Sequence, residues 1–387
     1  MSAKLIKNIG TIVTGDITNP IIKGDAILIQ DGKIAAIGSS DELGKESVET
    51  TIDAGQSTVT PGLIDSHCHV VLGDYSPRQH QIGFLESETH GGVTTIISAG
   101  EVHLQGRPKD PAGTKALAIL AAKAFSNFRP GGAKVIGGAL ILEKGLKESD
   151  FEEMSREGVR IVGEIGLGSV KFAQDAVPMV QWAKKNGMTV LMHTGGTSIP
   201  GSDTVTADQV ISVDPHVACH VNGGPTSVSI EEIEKLVTQT SYALELVHCG
   251  NMKSLVDAVN LGIKHNALQR YIIGNDAPSG TGIIPLGILR VISTASSLTP
   301  LEPEKAICMA TGNTAKVFKL DCGFVQEGYP ADLTIMDAPM GSVGKTALDA
   351  IKSGDVPGVS MVIIDGEIKV NISRNTPPAA RKAKISS

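Results

Sequence analysis

The chain has 387 residues, too many for one small core and enough for a large barrel with a modest second domain. Its 41% hydrophobic and 19% charged residues are those of a folded globular protein, and 3% aromatics argue against a module built on stacked bases. A net charge of -7 without any basic block argues against nucleic acid or an anionic membrane as partner.

The opening "MSAKLIKNIG" lacks the long apolar stretch of a secretory signal, and no run of about 18 apolar residues follows that would span a membrane. The first 57 residues read as short strands: "LIKNIGTIVTG", "DAILIQDG" and "KIAAIGS" alternate apolar and polar positions. Asp-Gly in "QDGK" suits a tight primed hairpin turn. The C-terminal segments "ADLTIMDAP" and "VSMVIIDGEIKVNISR" repeat that texture with a second Asp-Gly. Residues 1–57 and 321–387 are therefore expected to pair into one small β-sandwich, with residues 58–320 inserted as a separate domain.

The middle changes rhythm. Eight apolar runs, "GLIDSHCHV", "VTTIISAG", "AKVIGGALIL", "RIVGEIG", "TVLMHTG", "HVACHVNG", "YALELVHCG" and "YIIGNDAP", alternate with helical stretches. Helices are expected near 114–127, 148–158, 177–187, 230–238 and 255–260. Such alternation means parallel strands joined by crossovers, and eight units fit a closed (β/α)8 barrel of the α/β class. A doubly wound open sheet is the alternative; the lack of a GxGxxG after the first strand and of a P-loop lowers it. Five scattered cysteines, Cys68, Cys219, Cys249, Cys308 and Cys322, form no CxxC and read as reduced thiols of a cytoplasmic protein.

The strand ends carry the chemistry. The first ends in His67 and His69, the fourth carries Glu164, the fifth ends in His193, the sixth in His220 and the eighth in Asp276. Residues i and i+2 of a strand share a side, so His67 and His69 point together into the barrel mouth and Cys68 points away. That face is where this architecture builds its sites. Taken singly, each has an ordinary reading: a hydrogen-bonded histidine, a partner for an arginine, or, for Asp276 before "APSG", a turn cap. Jointly, four imidazoles and two carboxylates suit a pair of divalent metals, with a carboxylate as the natural bridge. Asp65 shares parity with His67 and His69 and is expected to orient a ligand or to brace the barrel.

"TPGLIDSHCHV", "GNDAP", "GYPADLTIMD" and "VIIDGEI" resemble the amidohydrolase superfamily along essentially the whole chain. More narrowly, "HGGVTTIISAG", "GRPKDPAGTKALAI", "VGEIGLG", "MHTGGTSIPGS", "HVNGGPT", "GNDAPSGTGIIPLGILR" and "SRNTPPA" are similar to its enamidase-like branch, which serves bacterial nicotinate fermentation. The resemblance implies a binuclear centre of zinc with iron: His67, His69 and Asp276 on one metal, His193 and His220 on the other. Glu164 stands where many relatives carry a carboxylated lysine as bridge; Lys171 is the alternative. The implied substrate is 6-oxo-1,4,5,6-tetrahydronicotinate, opened to 2-formylglutarate and ammonia. The expected attack is by a metal-bridging hydroxide, with Asp276 as acid and base. A homo-oligomer is also implied, tetramers being common among relatives.

Candidates to hold the substrate carboxylate lie on the rim: Arg78 and Arg107 by bidentate pairing, and their neighbours Tyr75, His103 and Lys109. Two rival readings stay open: another cyclic-amide hydrolase or deaminase of dihydroorotase, hydantoinase or imidazolonepropionase type, and a metal-free scaffold of the same fold.

Overall fold

The two Asp-Gly pairs turn hairpins because both residues of each take positive φ, which the primed turn demands: Asp31 49° and Gly32 79°, Asp365 49° and Gly366 74°. Around them two sheets form from both ends of the chain. Five strands pair in the order Lys384–Ser386, Thr50–Asp53, Ala3–Lys7, Ala26–Gln30, Lys33–Gly38, and six in the order Glu367–Asn371, Gly358–Ile364, Leu333–Asp337, Thr58–Pro61, Thr11–Val13, Ile21–Ile22. Ile6, Ile27, Ile29 and Ile52 of the first sheet meet Ile12, Val59, Leu333, Ile335 and Ile363 of the second in a sandwich core. Each such side chain contributes about 1.5–3 kcal/mol on burial. Thr58–Pro61 pairs with Leu333–Asp337, Val59 opposite Ile335, so this sheet takes in residues directly after position 57.

The computed structural model describes residues 3–70, 81–102, 104, 106–197, 203–223, 227–277 and 284–386. Eight parallel strands occupy its middle: Leu63–Cys68, Val93–Ser98, Lys134–Ile136, Ile161–Ile165, Thr189–Met192, Val217–Ala218, Ala243–Val247 and Tyr271–Gly274, here the first to eighth barrel strands. Sequential neighbours pair in parallel. Single bridges, Leu140 to Val162 and Cys68 to Ala277, join the two arcs. The sheet is thus closed, and the open-sheet alternative falls away.

One interior layer takes a residue from every strand or its extension: Ile64, Ile97, Ala139, Ile161, Leu191, Val217, Ala243 and Ile272. Ala315, Phe318 and Cys322 pack beneath it and plug the amino-terminal end. Asn313, in a π-helical turn over Met309–Asn313, secures the plug by donating to the carbonyls of Leu268 and Tyr271 at 3.0 and 2.9 Å. The expected helices appear as Pro111–Asn127, Glu148–Arg156, Ala173–Lys185, Ile230–Gln239 and Met252–Lys264. Asp110 starts the first of these, its carboxylate accepting from the Gly113 N–H with Pro111 at the first helical position. Helices Gln81–Thr89, Ala207–Val213 and Gly287–Ser297 follow the first, fifth and eighth barrel strands, and the helical segment 303–318 comes after them.

At the plugged end a cavity of about 580 Å³ is lined by Lys123, Arg129 and Lys134 among others. These cations are met by Glu157, by Asp365, and by Asp332 with Asp365, respectively. Among the described residues no helix is long and apolar enough to cross a membrane, and the five cysteines are buried and joined in no disulfide.

Candidate metal centre

Strand alternation alone does not aim the ligands. Counted from the inward Ile64, it would turn His67 outward; counted from Ile161, it would turn Glu164 outward. Register irregularities between Asp65 and Cys68 and between Val162 and Ile165 shift the phase in both strands. Such bulges re-aim side chains beside active sites. The sixth and eighth strands end instead in left-handed backbone, His220 at φ 30° and Asp276 at φ 60°. Strain of this kind, about 1–3 kcal/mol per residue, persists where the surrounding structure over-determines it.

The result is that His67, His69, Glu164, His193, His220 and Asp276, all buried, converge at the carboxyl end of the barrel. Glu164 lies between two pairs of imidazoles. Its Oε1 is 2.6 Å from His220 Nε2 and 3.4 Å from His193 Nδ1; its Oε2 is 3.5 Å from His67 Nε2 and 3.4 Å from His69 Nε2. Asp276 Oδ1 lies 3.5 Å from His67 Nε2 and 3.2 Å from His69 Nε2. The far ring nitrogens are held elsewhere: His69 Nδ1 by the Gly100 carbonyl at 3.0 Å, His193 Nε2 by the Gly196 carbonyl at 3.2 Å. Gly274 sits behind the first ligand, where a Cβ would come 2.6 Å from that of His67.

Burial opposes charge on Glu164, Asp276, His67 and His220, yet the electrostatics keep the two carboxylates ionised. Burial would raise Glu164, but His67 and His220 hold it well below the ordinary carboxylate range. Burial would likewise raise Asp276, and His67, His69 and His220 lower it. Burial works against the His67 cation while Glu245, Glu164 and Asp276 push its pKa well up. His67 Nε2 and His220 Nδ1 are buried with no hydrogen-bond partner. An orphaned His67 Nε2 beside the ionised Glu164 and Asp276 is what a divalent cation satisfies, and four imidazoles with two carboxylates make a donor set that fits a metal pair.

Two acids that the sequence analysis passed over lie just behind these ligands. Glu245, in the middle of the seventh strand, faces His67 Nδ1 at 2.7 Å. Glu88, on helix Gln81–Thr89, forms a buried group with Asp65 and Cys68. Asp65 Oδ1 accepts from the backbone N–H groups of His67 and Asn275, both at 2.9 Å, and so ties the first strand to the eighth. Glu88 Oε1 accepts from Asn275 Nδ2 at 2.9 Å. Burial raises Asp65 to about 7, and burial together with the Asp65 charge raises Glu88 well above its ordinary value.

A carboxyl raised in the folded state stabilises below its unfolded pKa, and that contribution is lost as pH rises through the folded value. For Asp65 the window runs from 3.8 to about 7. Glu88→Gln keeps the acceptor for Asn275 and supplies a donor that needs no proton. It is expected to match or exceed wild-type Tm at pH 8, whereas Glu88→Ala loses about 1–3 kcal/mol. Thermal melts between pH 6 and 8.5 check this; a Gln variant as damaged as the Ala variant at pH 8 rejects a protonated Glu88 in the folded protein.

Of the rim candidates, Arg78, Tyr75 and His103 lie outside the described residues. Arg107 donates to Glu143 Oε1 at 2.8 Å and to the Pro108 carbonyl at 3.2 Å, a buried pairing apart from the six ligands. Lys171 pairs with Asp203 at 3.3 Å.

Residues 58–369 match the amidohydrolase family. The chain belongs to that family. Among amidohydrolases it is 56% identical to the enamidase of Eubacterium barkeri over 385 residues, covering 100% of both chains. The crystal structure of an enamidase superposes with a TM-score of 0.97 at 56% identity, again over 100% of each chain. Imidazolonepropionase of Staphylococcus aureus is 22% identical over 365 residues, covering 82% of this chain and 84% of its own. A beta-aspartyl dipeptidase from Fervidobacterium islandicum shares the amidohydrolase fold, with a TM-score of 0.68 at 16% identity over 96% and 98% of the two chains.

Proposed function

We propose that this amidohydrolase opens a cyclic amide in the manner of enamidase, with a binuclear metal centre held by His67, His69, Glu164, His193, His220 and Asp276. One observation carries the metal reading: Glu164 gives one oxygen to His67 and His69 and the other to His193 and His220. A carboxylate so divided would serve two cations at once, and the Glu164 side chain itself would then be the bridge.

Bound there, divalent cations supply Lewis acidity and lower the pKa of a coordinated water from about 15.7 toward 7. The protein's own groups do the rest. Gly100 and Glu245 fix which nitrogen of His69 and His67 faces the centre. Asp276, ionised and 3.2 Å from His69 Nε2, is the proton acceptor for the attacking water. It returns that proton to the ring nitrogen as the C–N bond breaks. The barrel wall excludes bulk water, since none of the six groups is more than 6% exposed.

The substrate we assign is 6-oxo-1,4,5,6-tetrahydronicotinate, consumed with two waters to give 2-formylglutarate and ammonia; zinc with iron is the assigned metal pair. Elemental analysis of anaerobically purified protein, paired with an ammonia-release assay on this lactam and on its saturated analogue, tests both. Two metal equivalents and selective turnover of the unsaturated ring are expected. Metal-free protein, or equal turnover of both rings, discards the assignment.

A further inference from the structure

We infer that Glu245 is a positioning residue shared by both halves of the metal centre, so that one buried carboxylate sets the geometry of a ligand in each. The inference rests on the binuclear reading above. Glu245 is completely buried in the middle of the seventh barrel strand. Three donors reach its two oxygens. Ser66 Oγ donates to Oε1 at 2.5 Å. Oε2 receives His67 Nδ1 at 2.7 Å and the backbone N–H of His220 at 3.3 Å.

Glu245 accepts from Ser66 and from the His220 N–H, and with it accepting here too the 2.7 Å contact takes its hydrogen from His67 Nδ1. Its Nε2 is thereby left as the ligating lone pair, directed at Glu164 and Asp276. The contact to His220 is of another kind. His220 stands in left-handed backbone at φ 30°, which is what turns its ring from the sixth strand toward Glu164. Glu245 accepts the N–H of that same residue and helps to hold the strained peptide. His67 thus depends on Glu245 through its side chain and His220 through its main chain, although the two belong to different halves of the centre. The first-strand bulge serves the same end, bringing Ser66 and His67 to one acid.

The test uses full-length protein stripped of metal and titrated with zinc against a competing chelator, with circular dichroism as the fold control. Wild type is expected to take up two ions. Glu245→Ala is expected to weaken both zinc dissociation constants by about 10–100-fold. Glu245→Gln keeps the shape but loses the charge-assisted bonds, and is expected to weaken both by about 3–10-fold. A role confined to stability would lower Tm and leave both constants unmoved. Constants within twofold of wild type in either folded variant overturn the inference, as does weakening of only one site. Should Glu245→Ala fail to fold, Glu245→Gln decides alone. Wild-type protein that binds no zinc pair would instead remove the binuclear reading itself, whatever the Glu245 variants do.

Discussion

Asp276→Asn is expected to lower turnover of the cyclic amide by about 10²–10⁴-fold while the fold and both bound ions are retained. The backbone explains the choice of variant. Asp276 has φ 60°, and its N–H closes the barrel seam on the His67 carbonyl at 2.7 Å. Asparagine is among the few residues that enter left-handed backbone readily; alanine is not. Asn also presents an oxygen near Oδ1, 3.2 Å from His69 Nε2, so a ligand atom remains. What it cannot do is accept a proton from water and hand it to the departing nitrogen. Asp276→Ala should lose the same chemistry and, in addition, Tm. Steady-state rates with metal content on the same preparation separate the two effects. Turnover within tenfold of wild type in a two-metal Asn variant would remove Asp276 from the proton path.

Much of this centre was legible in the sequence because a barrel confines chemistry to one end of its strands. His67, His69, His193, His220 and Asp276 each close an apolar run, and the spacing of the runs announced the parallel strands. The Asp-Gly hairpins were legible for a local reason: few other pairs adopt positive φ twice in succession. What escaped was tertiary. Glu245 sits mid-strand, where an acid in "YALELVHCG" looks like any alternating polar position until His67, 178 residues away, is seen against it. Glu88 meets Asn275 across 187 residues. The bulges at Asp65–Cys68 and Val162–Ile165 leave no compositional mark, although without them simple alternation turns His67 and Glu164 out of the barrel. Arg107, a rim candidate for the substrate carboxylate, is engaged by Glu143, 36 residues on, a partner that no local signal in the sequence announces.

Glu164→Ala is expected to reduce bound metal from two ions to one or fewer per chain, and turnover by about three orders of magnitude or more. Two unit charges 4 Å apart interact by about 4 kcal/mol at an effective dielectric near 20, and two dications by about four times that. A second cation therefore enters only if anionic ligands between the sites offset the repulsion. Glu164 is the group so placed, with Oε1 2.6 Å from His220 Nε2 and Oε2 3.4 Å from His69 Nε2. Its loss leaves four imidazoles facing one another with Asp276 as the remaining carboxylate among the six. Glu164→Gln separates charge from shape: the amide fills the same space but carries no charge, so its metal content should also fall below two. Elemental analysis on both variants, with circular dichroism to establish that the barrel is intact, reads the outcome. Glu164→Ala protein that still carries two ions would show that another group bridges them, and the division of the Glu164 oxygens between the histidine pairs would then be a packing contact without catalytic meaning.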